Sequence, residues 1–96
     1  MSTTIQTIAR KLLKLFGPNG KHWITGREED GNGNYCLIGG LKKLKVADKG
    51  RHLLAEAINK QHPGSSYSVE GFNDSHRWPS IKELLCGLAF PKKKKA

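Results

Sequence analysis

The chain has 96 residues, which is enough for one domain and too few for two. Its net charge of +9 favours an anionic partner such as DNA, RNA, an acidic protein surface or an anionic membrane, although solubility alone is a competing explanation. No segment approaches the roughly 18 apolar residues of a membrane span, and Arg10, Lys11 and Lys14 interrupt the apolar positions where a signal peptide needs a continuous run. We therefore predict a cytoplasmic protein.

Apolar residues at helical spacing predict four amphipathic helices. The predicted helices cover residues 3–16, 35–45 and 48–61, and a fourth follows Ser80. The intervening residues 65–79 read as a loop or an extended segment. The pattern indicates a compact all-α domain over residues 1–90, and the lysine run predicts a disordered basic tail at 91–96. A small two-stranded hairpin between residues 22–27 and 66–71 is compatible with it.

Residue types at the helix starts predict the N-caps. The first helix can be capped by Ser2, Thr3 or Thr4, the second by Asn34 and the third by Asp48. The fourth has the strongest local pattern, because Ser80 followed by Glu83 fits a capping box.

Gly39 and Gly40 lie inside the apolar pattern of the second helix. Each costs a helix interior about 1 kcal/mol relative to alanine, so the pair predicts a close approach by another part of the chain. Trp23 is the expected neighbour. The phosphate-binding patterns GxGxxG and GxxxxGK[ST] are absent, and we predict no cofactor.

The two cysteines, Cys36 and Cys86, lie among apolar residues, as expected of buried thiols in a reducing compartment. Neither has a CxxC partner and the four histidines are scattered, so no metal site is predicted. Cys36 falls at the first turn of a predicted helix, a position that lowers a thiol pKa. Together with a histidine and Asp74, it allows one alternative, a small cysteine–histidine enzyme.

Five basic residues form a cluster across the second and third predicted helices. Lysine dominates it, which favours point-charge contacts with phosphates over bidentate recognition of bases. No zinc finger, RNA-recognition signature or leucine-zipper heptad accompanies it. The cluster therefore predicts a nucleic-acid-binding surface that consists of Lys42, Lys43, Lys45, Lys49 and Arg51.

A second candidate site follows Asn73 and Asp74, whose side chains can hold a turn by accepting backbone amides. Next come His76, Arg77 and Trp78, and an arginine beside a partly exposed tryptophan suits a protein interface. These residues, with the acidic residues at 28–30, carry a further alternative, a phage-type inhibitor that docks on a host protein.

Three short motifs resemble those of a family of small uncharacterised bacterial and phage proteins. Trp23, the run Cys36 to Leu41, and Phe72-Asn73-Asp74 are similar to the family pattern Trp…Cys-x-x-Gly-Ala-Leu…Trp-Asn-Asp, which a C-terminal helix follows. Gly40 and Phe72 depart from it, standing where the family has alanine and tryptophan. The resemblance covers residues 22–89 and implies a small helical cytosolic domain, without an activity to carry over.

The sequence thus predicts a small non-catalytic binding module for an anionic partner, most simply nucleic acid or a nucleoprotein complex. Oligomeric state and the natural partner are not indicated by any pattern in the chain.

Overall fold

The computed structural model describes residues 4–64 and 66–90, and five α-helices account for most of them. They are α1 (Ile5–Phe16), α2 (Leu37–Lys43), α3 (Ala47–Gln61), α4 (Val69–Ser75) and α5 (Trp78–Ala89). The predicted all-α class is confirmed. The basic tail at 91–96 and the candidate caps Ser2 and Thr3 lie outside the described residues.

The predicted hairpin is wrong. Residues 69–71 belong to a helix, and residues 22–24 pair elsewhere. The Tyr35 amide donates to the carbonyl of His22 (2.8 Å), and the Ile24 amide donates to the carbonyl of Tyr35 (3.0 Å). These isolated bridges tie the two ends of the α1–α2 connection together, and the described residues contain no regular strand.

Helix α1 forms as its sequence pattern predicts. The Thr4 side chain caps it by accepting from the Thr7 amide at 3.2 Å. Its apolar stripe, Ile8, Ala9, Leu12 and Phe16, is buried, and α1 packs most extensively against α5. The side chains of Gln6 and Arg10 both donate to the carbonyl of Ala89 at 3.2 Å, so α1 also satisfies the C-terminal end of α5.

Helix α2 is the centre of the bundle and contacts α1, α3 and α4. Its first five residues are all buried, and both of its glycines are required by close neighbours. A Cβ on Gly39 would lie 1.8 Å from the carbonyl oxygen of Glu28, and one on Gly40 would lie 2.8 Å from Leu12. The predicted close approach is confirmed, but the expected neighbour Trp23 is wrong: the nearest atoms belong to Glu28 and to α1.

The predicted N-caps of α2 and α3 are wrong, because a different residue holds the N-cap position of each helix. Helix α2 is capped by Cys36, whose sulfur accepts from the Gly39 amide at 3.4 Å. The predicted cap Asn34 is held instead by hydrogen bonds to Asp30 and His22. Helix α3 starts before Asp48, because the carbonyl of Val46 already accepts the first helical hydrogen bond, and no side chain caps it.

The segment 65–79 was predicted to be loop or extended, yet it contains all of α4 and the start of α5. Ser68 caps α4 by accepting from the Gly71 amide at 3.0 Å, and Phe72 anchors the helix in the core. Helix α5 begins at Trp78 with Pro79 in its first turn. The predicted capping box is therefore wrong, since the Ser80 amide already donates to the carbonyl of Arg77.

Both tryptophans meet at one end of the core. The ring centroids of Trp23 and Trp78 are 6.0 Å apart, and Phe16 approaches Trp78 edge-on at 5.9 Å. Gly20 lies against the same indole, where a Cβ would fall 2.3 Å from a ring carbon of Trp78. The contacts fix the α1–α2 connection onto α5. The Trp78 indole nitrogen is buried without a hydrogen-bond partner among the described residues.

Candidate nucleic-acid interface

The five predicted basic residues, Lys42, Lys43, Lys45, Lys49 and Arg51, are all exposed and are called the lysine face below. They lie at the end of α2, in the α2–α3 turn and in the first turns of α3. Residues 42–51 hold five basic side chains and one carboxylate, a net charge of 5 − 1 = +4. Residues 1–90 hold 13 basic and 8 acidic side chains, a net charge of +5. Almost all of the net charge outside the tail is therefore carried by this one segment.

An open groove of about 520 Å³ runs along the lysine face. Lys42, Lys45 and Lys49 line it, and Val46 and Ala47 contribute apolar wall. Asp48 also lines the groove and makes no ion pair within the described residues. The groove thus joins cations from both helices and from the turn between them.

Two members of the lysine face make ion pairs that reach other parts of the fold. Lys42 lies 2.7 Å from the carboxylate of Glu28, and Arg51 lies 2.6 Å from that of Glu70. All four side chains are about half exposed, at 56%/49% and 53%/44% respectively. Exposed pairs of this kind contribute only about 0–1 kcal/mol, so both cations can exchange partners at little cost.

The turn between α2 and α3 places Lys45 in a left-handed conformation, with φ at +63°. The Val46 amide donates to the carbonyl of Leu41 and the Lys45 amide to that of Lys42, the hydrogen-bond pattern of a Schellman motif. Glycine is the usual residue at this position, and a lysine there costs about 1 kcal/mol. Position 45 therefore carries a lysine that lines the groove, although the backbone conformation at this position favours glycine.

His76, Arg77 and Trp78 are adjacent in sequence but are used differently. The His76 ring stacks on Phe72 with centroids 4.1 Å apart, and Trp78 packs in the aromatic cluster described above. Arg77 is exposed and provides the N-cap position of α5 without a side-chain hydrogen bond. Of the predicted partner-binding group, Arg77 is the member whose side chain is most available to a partner.

Asn73 is a buried structural hub, a role that its sequence context indicated only as a local turn. Its side-chain oxygen accepts from the Trp23 indole at 2.7 Å and from the Leu37 amide at 3.0 Å. Its amide nitrogen donates to the carbonyl of Ile24 and to Asp74. All four hydrogen-bonding positions of the side chain are filled, so none is left for a ligand. The hub links α4 to the α1–α2 connection and to the start of α2.

Cys36 is 5% exposed, and its burial raises the pKa of the thiol above the ordinary value of 9.0. The expected lowering of the pKa at a first helical turn is wrong, because burial outweighs the backbone hydrogen bonds. In the described part of the chain, no hydrogen bond joins this sulfur to a histidine, and both cysteines are free. A cysteine–histidine enzyme receives no geometric support.

The acidic residues at 28–30 are held in an internally bonded loop. Asp30 accepts from the Asn34 side chain at 2.7 Å and from the Asn32 amide at 2.8 Å, and these bonds lower the pKa of the Asp30 carboxyl below its usual value. Residues 4–64 and 66–90 contain no group of three histidine, cysteine or acidic side chains spaced to hold a metal ion. None of the helices in these ranges has the length and apolar content to cross a bilayer.

Fold and site together define a small all-α domain with a basic groove between two helices. No model of a known protein family matches the chain, no curated protein is detectably similar to it in sequence, and no solved structure is detectably similar to it in fold. The resemblance to small bacterial and phage proteins stays a prediction.

Proposed function

We propose that the protein is a non-catalytic module that binds the phosphate backbone of nucleic acid through the lysine face. The observation that carries the proposal is the concentration of charge: residues 42–51 hold a net +4 of the +5 found in residues 1–90. Three of the lysines, Lys43, Lys45 and Lys49, make no ion pair within the described residues. Exposed, unpaired cations displace the counterions condensed on nucleic-acid phosphates, and the release of these counterions drives association.

The chemistry of the lysine face favours sequence-tolerant binding. Ammonium groups contact phosphates as point charges, and only Arg51 offers the planar fork that reads base edges. Arg51 is paired with Glu70 through one of its nitrogens, and this exposed pair can exchange for a phosphate at little cost. The predicted affinity therefore depends strongly on salt and weakly on sequence. Association with a nucleoprotein complex in the cytoplasm is consistent with the same surface.

The test is fluorescence anisotropy of the full chain with labelled duplex DNA and RNA over a salt series. One variant neutralises Lys43, Lys45 and Lys49 with glutamine, and its matched control neutralises three exposed lysines elsewhere, Lys11, Lys14 and Lys82. The two variants have equal net charge. We expect the first to bind at least about tenfold more weakly and to lower the salt slope by about 0.9 per lost phosphate contact. Equal effects of both variants would refute the lysine face.

Lys45→Gly separates binding from folding. The substitution removes one cation from the groove and relieves the left-handed strain, so the free energy of unfolding should rise by up to about 1 kcal/mol while affinity falls. A more stable protein that binds more weakly cannot owe its loss to misfolding. Unchanged affinity would remove Lys45 from the contact.

The phage-type inhibitor stays an alternative prediction, and its features are less available than the lysine face. Glu28 is paired with Lys42, and Trp78 packs on Trp23 and Phe16. A nuclease-treated pull-down distinguishes the two ideas, because a host protein partner would remain bound after the nucleic acid is destroyed.

A further inference from the structure

A second cavity of about 360 Å³ lies where the end of α3, the end of α4 and one side of α5 meet. We call it the histidine pocket, because His62 and His76 both line it. It contains no residue of the lysine face and contributes nothing to the proposed phosphate contacts. Its volume is at the lower limit of ligand sites, which span roughly 300–1,000 Å³, so it suits a single small ring system.

One wall of the histidine pocket is aromatic. The rings that line it are His62, Phe72 and His76: His76 stacks on Phe72, and the ring centroids of His62 and His76 are 6.0 Å apart. Tyr67, outside the lining, meets His76 edge-on at 5.5 Å. Phe72 is buried, whereas His62, Tyr67 and His76 are each partly exposed. The His62 and His76 rings are inclined at 47° to each other, so one ring at a time can lie against the face of a planar ligand.

The polar side chains that line the pocket are Gln61, His62, His76, Ser80 and Glu83. The His76 Nδ1 lies 2.9 Å from the carbonyl oxygen of Phe72, which can only accept, so Nδ1 carries the proton and Nε2 is the acceptor of the neutral ring. No hydrogen bond engages this Nε2 within the described residues. Glu83 of α5 also lines the pocket, and its carboxylate makes no ion pair in the described part of the chain.

Gly87 is a glycine that the fold itself does not explain. It lies within α5 and lines the pocket, and a Cβ built on it meets nothing within 4 Å. A glycine in a helix interior costs about 1 kcal/mol relative to alanine. At Gly39 and Gly40 close protein neighbours exclude a side chain, whereas Gly87 is exposed and has open space beside the pocket. A ligand that lies against the backbone of α5 would require a glycine there.

We propose that the histidine pocket binds a single guanine base. A carboxylate can accept the two adjacent N–H groups on the pairing edge of guanine, which places Glu83 opposite that edge while the histidine wall contacts the ring face. Gly87 allows the base to approach α5. The base can come from a free nucleotide or from an unpaired position of a nucleic acid, since in a duplex that edge is occupied.

The first test uses guanosine monophosphate as the probe, with full-length ¹⁵N-labelled protein observed by NMR. We expect shift changes at Gly87 and Glu83 at probe concentrations of about 1 mM or below. Inosine monophosphate lacks one of the two N–H donors and should bind several-fold more weakly. An absence of shifts in the pocket at 1 mM, equal binding of the two probes, or stronger shifts with arginine methyl ester would overturn the proposal.

Two variants test the pocket itself. Gly87→Ala should keep the protein folded and more stable while weakening guanosine monophosphate at least fivefold, and Glu83→Gln should weaken it about tenfold. Lys82→Gln, one residue away on the exposed face of α5, is the matched control and should change nothing. Unchanged affinity in both pocket variants would refute the site. Because the glutamine substitutions at Lys43, Lys45 and Lys49 leave the pocket intact, failure of the lysine face remains distinguishable from failure of this inference.

The source of the base is decided with single-stranded oligonucleotides that carry one guanine or one abasic site at the same position. Both have the same phosphates, so the lysine face contacts them equally. Weaker binding of the abasic oligonucleotide, by about tenfold, would support the site and assign the base to a nucleic acid. Equal binding of the two oligonucleotides, together with binding of guanosine monophosphate, would support the site and assign it to a free nucleotide.

Discussion

The same substitution, glycine to alanine, should have opposite effects at two positions of this fold. At Gly39 the new Cβ would lie 1.8 Å from the carbonyl oxygen of Glu28, and real Cβ contacts are essentially never shorter than 3.0 Å. The 28–30 loop would have to move away by more than 1 Å. That shift breaks the hydrogen bond from the Cys36 amide to the same oxygen, now 3.1 Å long.

The cost can be worked from these contacts. Overpacking of a buried site costs about 1–3 kcal/mol, and losing a backbone hydrogen bond adds about 1 kcal/mol. Alanine recovers about 1 kcal/mol of helix propensity, which leaves Gly39→Ala about 2 kcal/mol less stable. Gly87→Ala meets no atom within 4 Å and should gain about 0.5–1 kcal/mol. The two variants should therefore differ by about 3 kcal/mol, a large part of the stability of a small domain.

Urea denaturation followed by far-ultraviolet circular dichroism measures the difference. Because both variants change one side chain, the dependence on denaturant should be unchanged and only the midpoint should move. A Gly39→Ala protein within 0.5 kcal/mol of the parent would show that the loop is not seated on α2 as described. A destabilised Gly87→Ala protein would show that the open space at α5 is occupied by protein.

Three further outcomes are expected. Asn73→Ala should lower the free energy of unfolding, measured by urea denaturation, by about 4 kcal/mol, because it leaves the Trp23 indole, the Leu37 amide and a backbone carbonyl without partners. A decrease below 1 kcal/mol would contradict the role of Asn73 as a structural hub. Replacing both Glu28 and Glu70 with glutamine should free the two paired cations and strengthen nucleic-acid binding several-fold at low salt, and weaker binding would show that the ion pairs shape the surface. In a Cys86→Ser variant the Cys36 thiol should resist alkylation at pH 8 until urea unfolds the chain. Because folding raises the pKa of that thiol, its contribution to the free energy of unfolding should be fully present below about pH 9 and be lost as the pH rises further.

The longer helices were predictable because their apolar residues repeat over several turns. Ile8, Leu12 and Phe16 are enough to define α1, and its cap at Thr4 follows from residue type. The caps at Asn34, Asp48 and Ser80 were predicted by the same reasoning and were wrong. A cap is decided by where other parts of the chain hold the backbone, as the carbonyl of Glu28 holds Cys36, and local residue preferences do not contain that information.

Helix α4 was missed because it lasts seven residues and contains glycine, asparagine, aspartate and serine. Its apolar repeat is limited to Val69 and Phe72, and a repeat this short does not distinguish a helix from a buried loop. Tertiary hydrogen bonds through Asn73 stabilise it, and these join residues far apart in sequence. The lysine face could be predicted because its five residues lie close together in the sequence. The histidine pocket could not be predicted, since its walls come from three elements whose arrangement depends on α4.

The tryptophan pair at the end of the core gives the protein an intrinsic optical reporter. The chain has two tryptophans, 55 positions apart in sequence, and their rings lie 6.0 Å from each other at an angle of 44°. Indoles this close and tilted couple their electronic transitions, which gives paired circular-dichroism bands of opposite sign that disappear when either ring is replaced by phenylalanine. Docking of the α1–α2 connection onto α5 can therefore be followed without an attached dye.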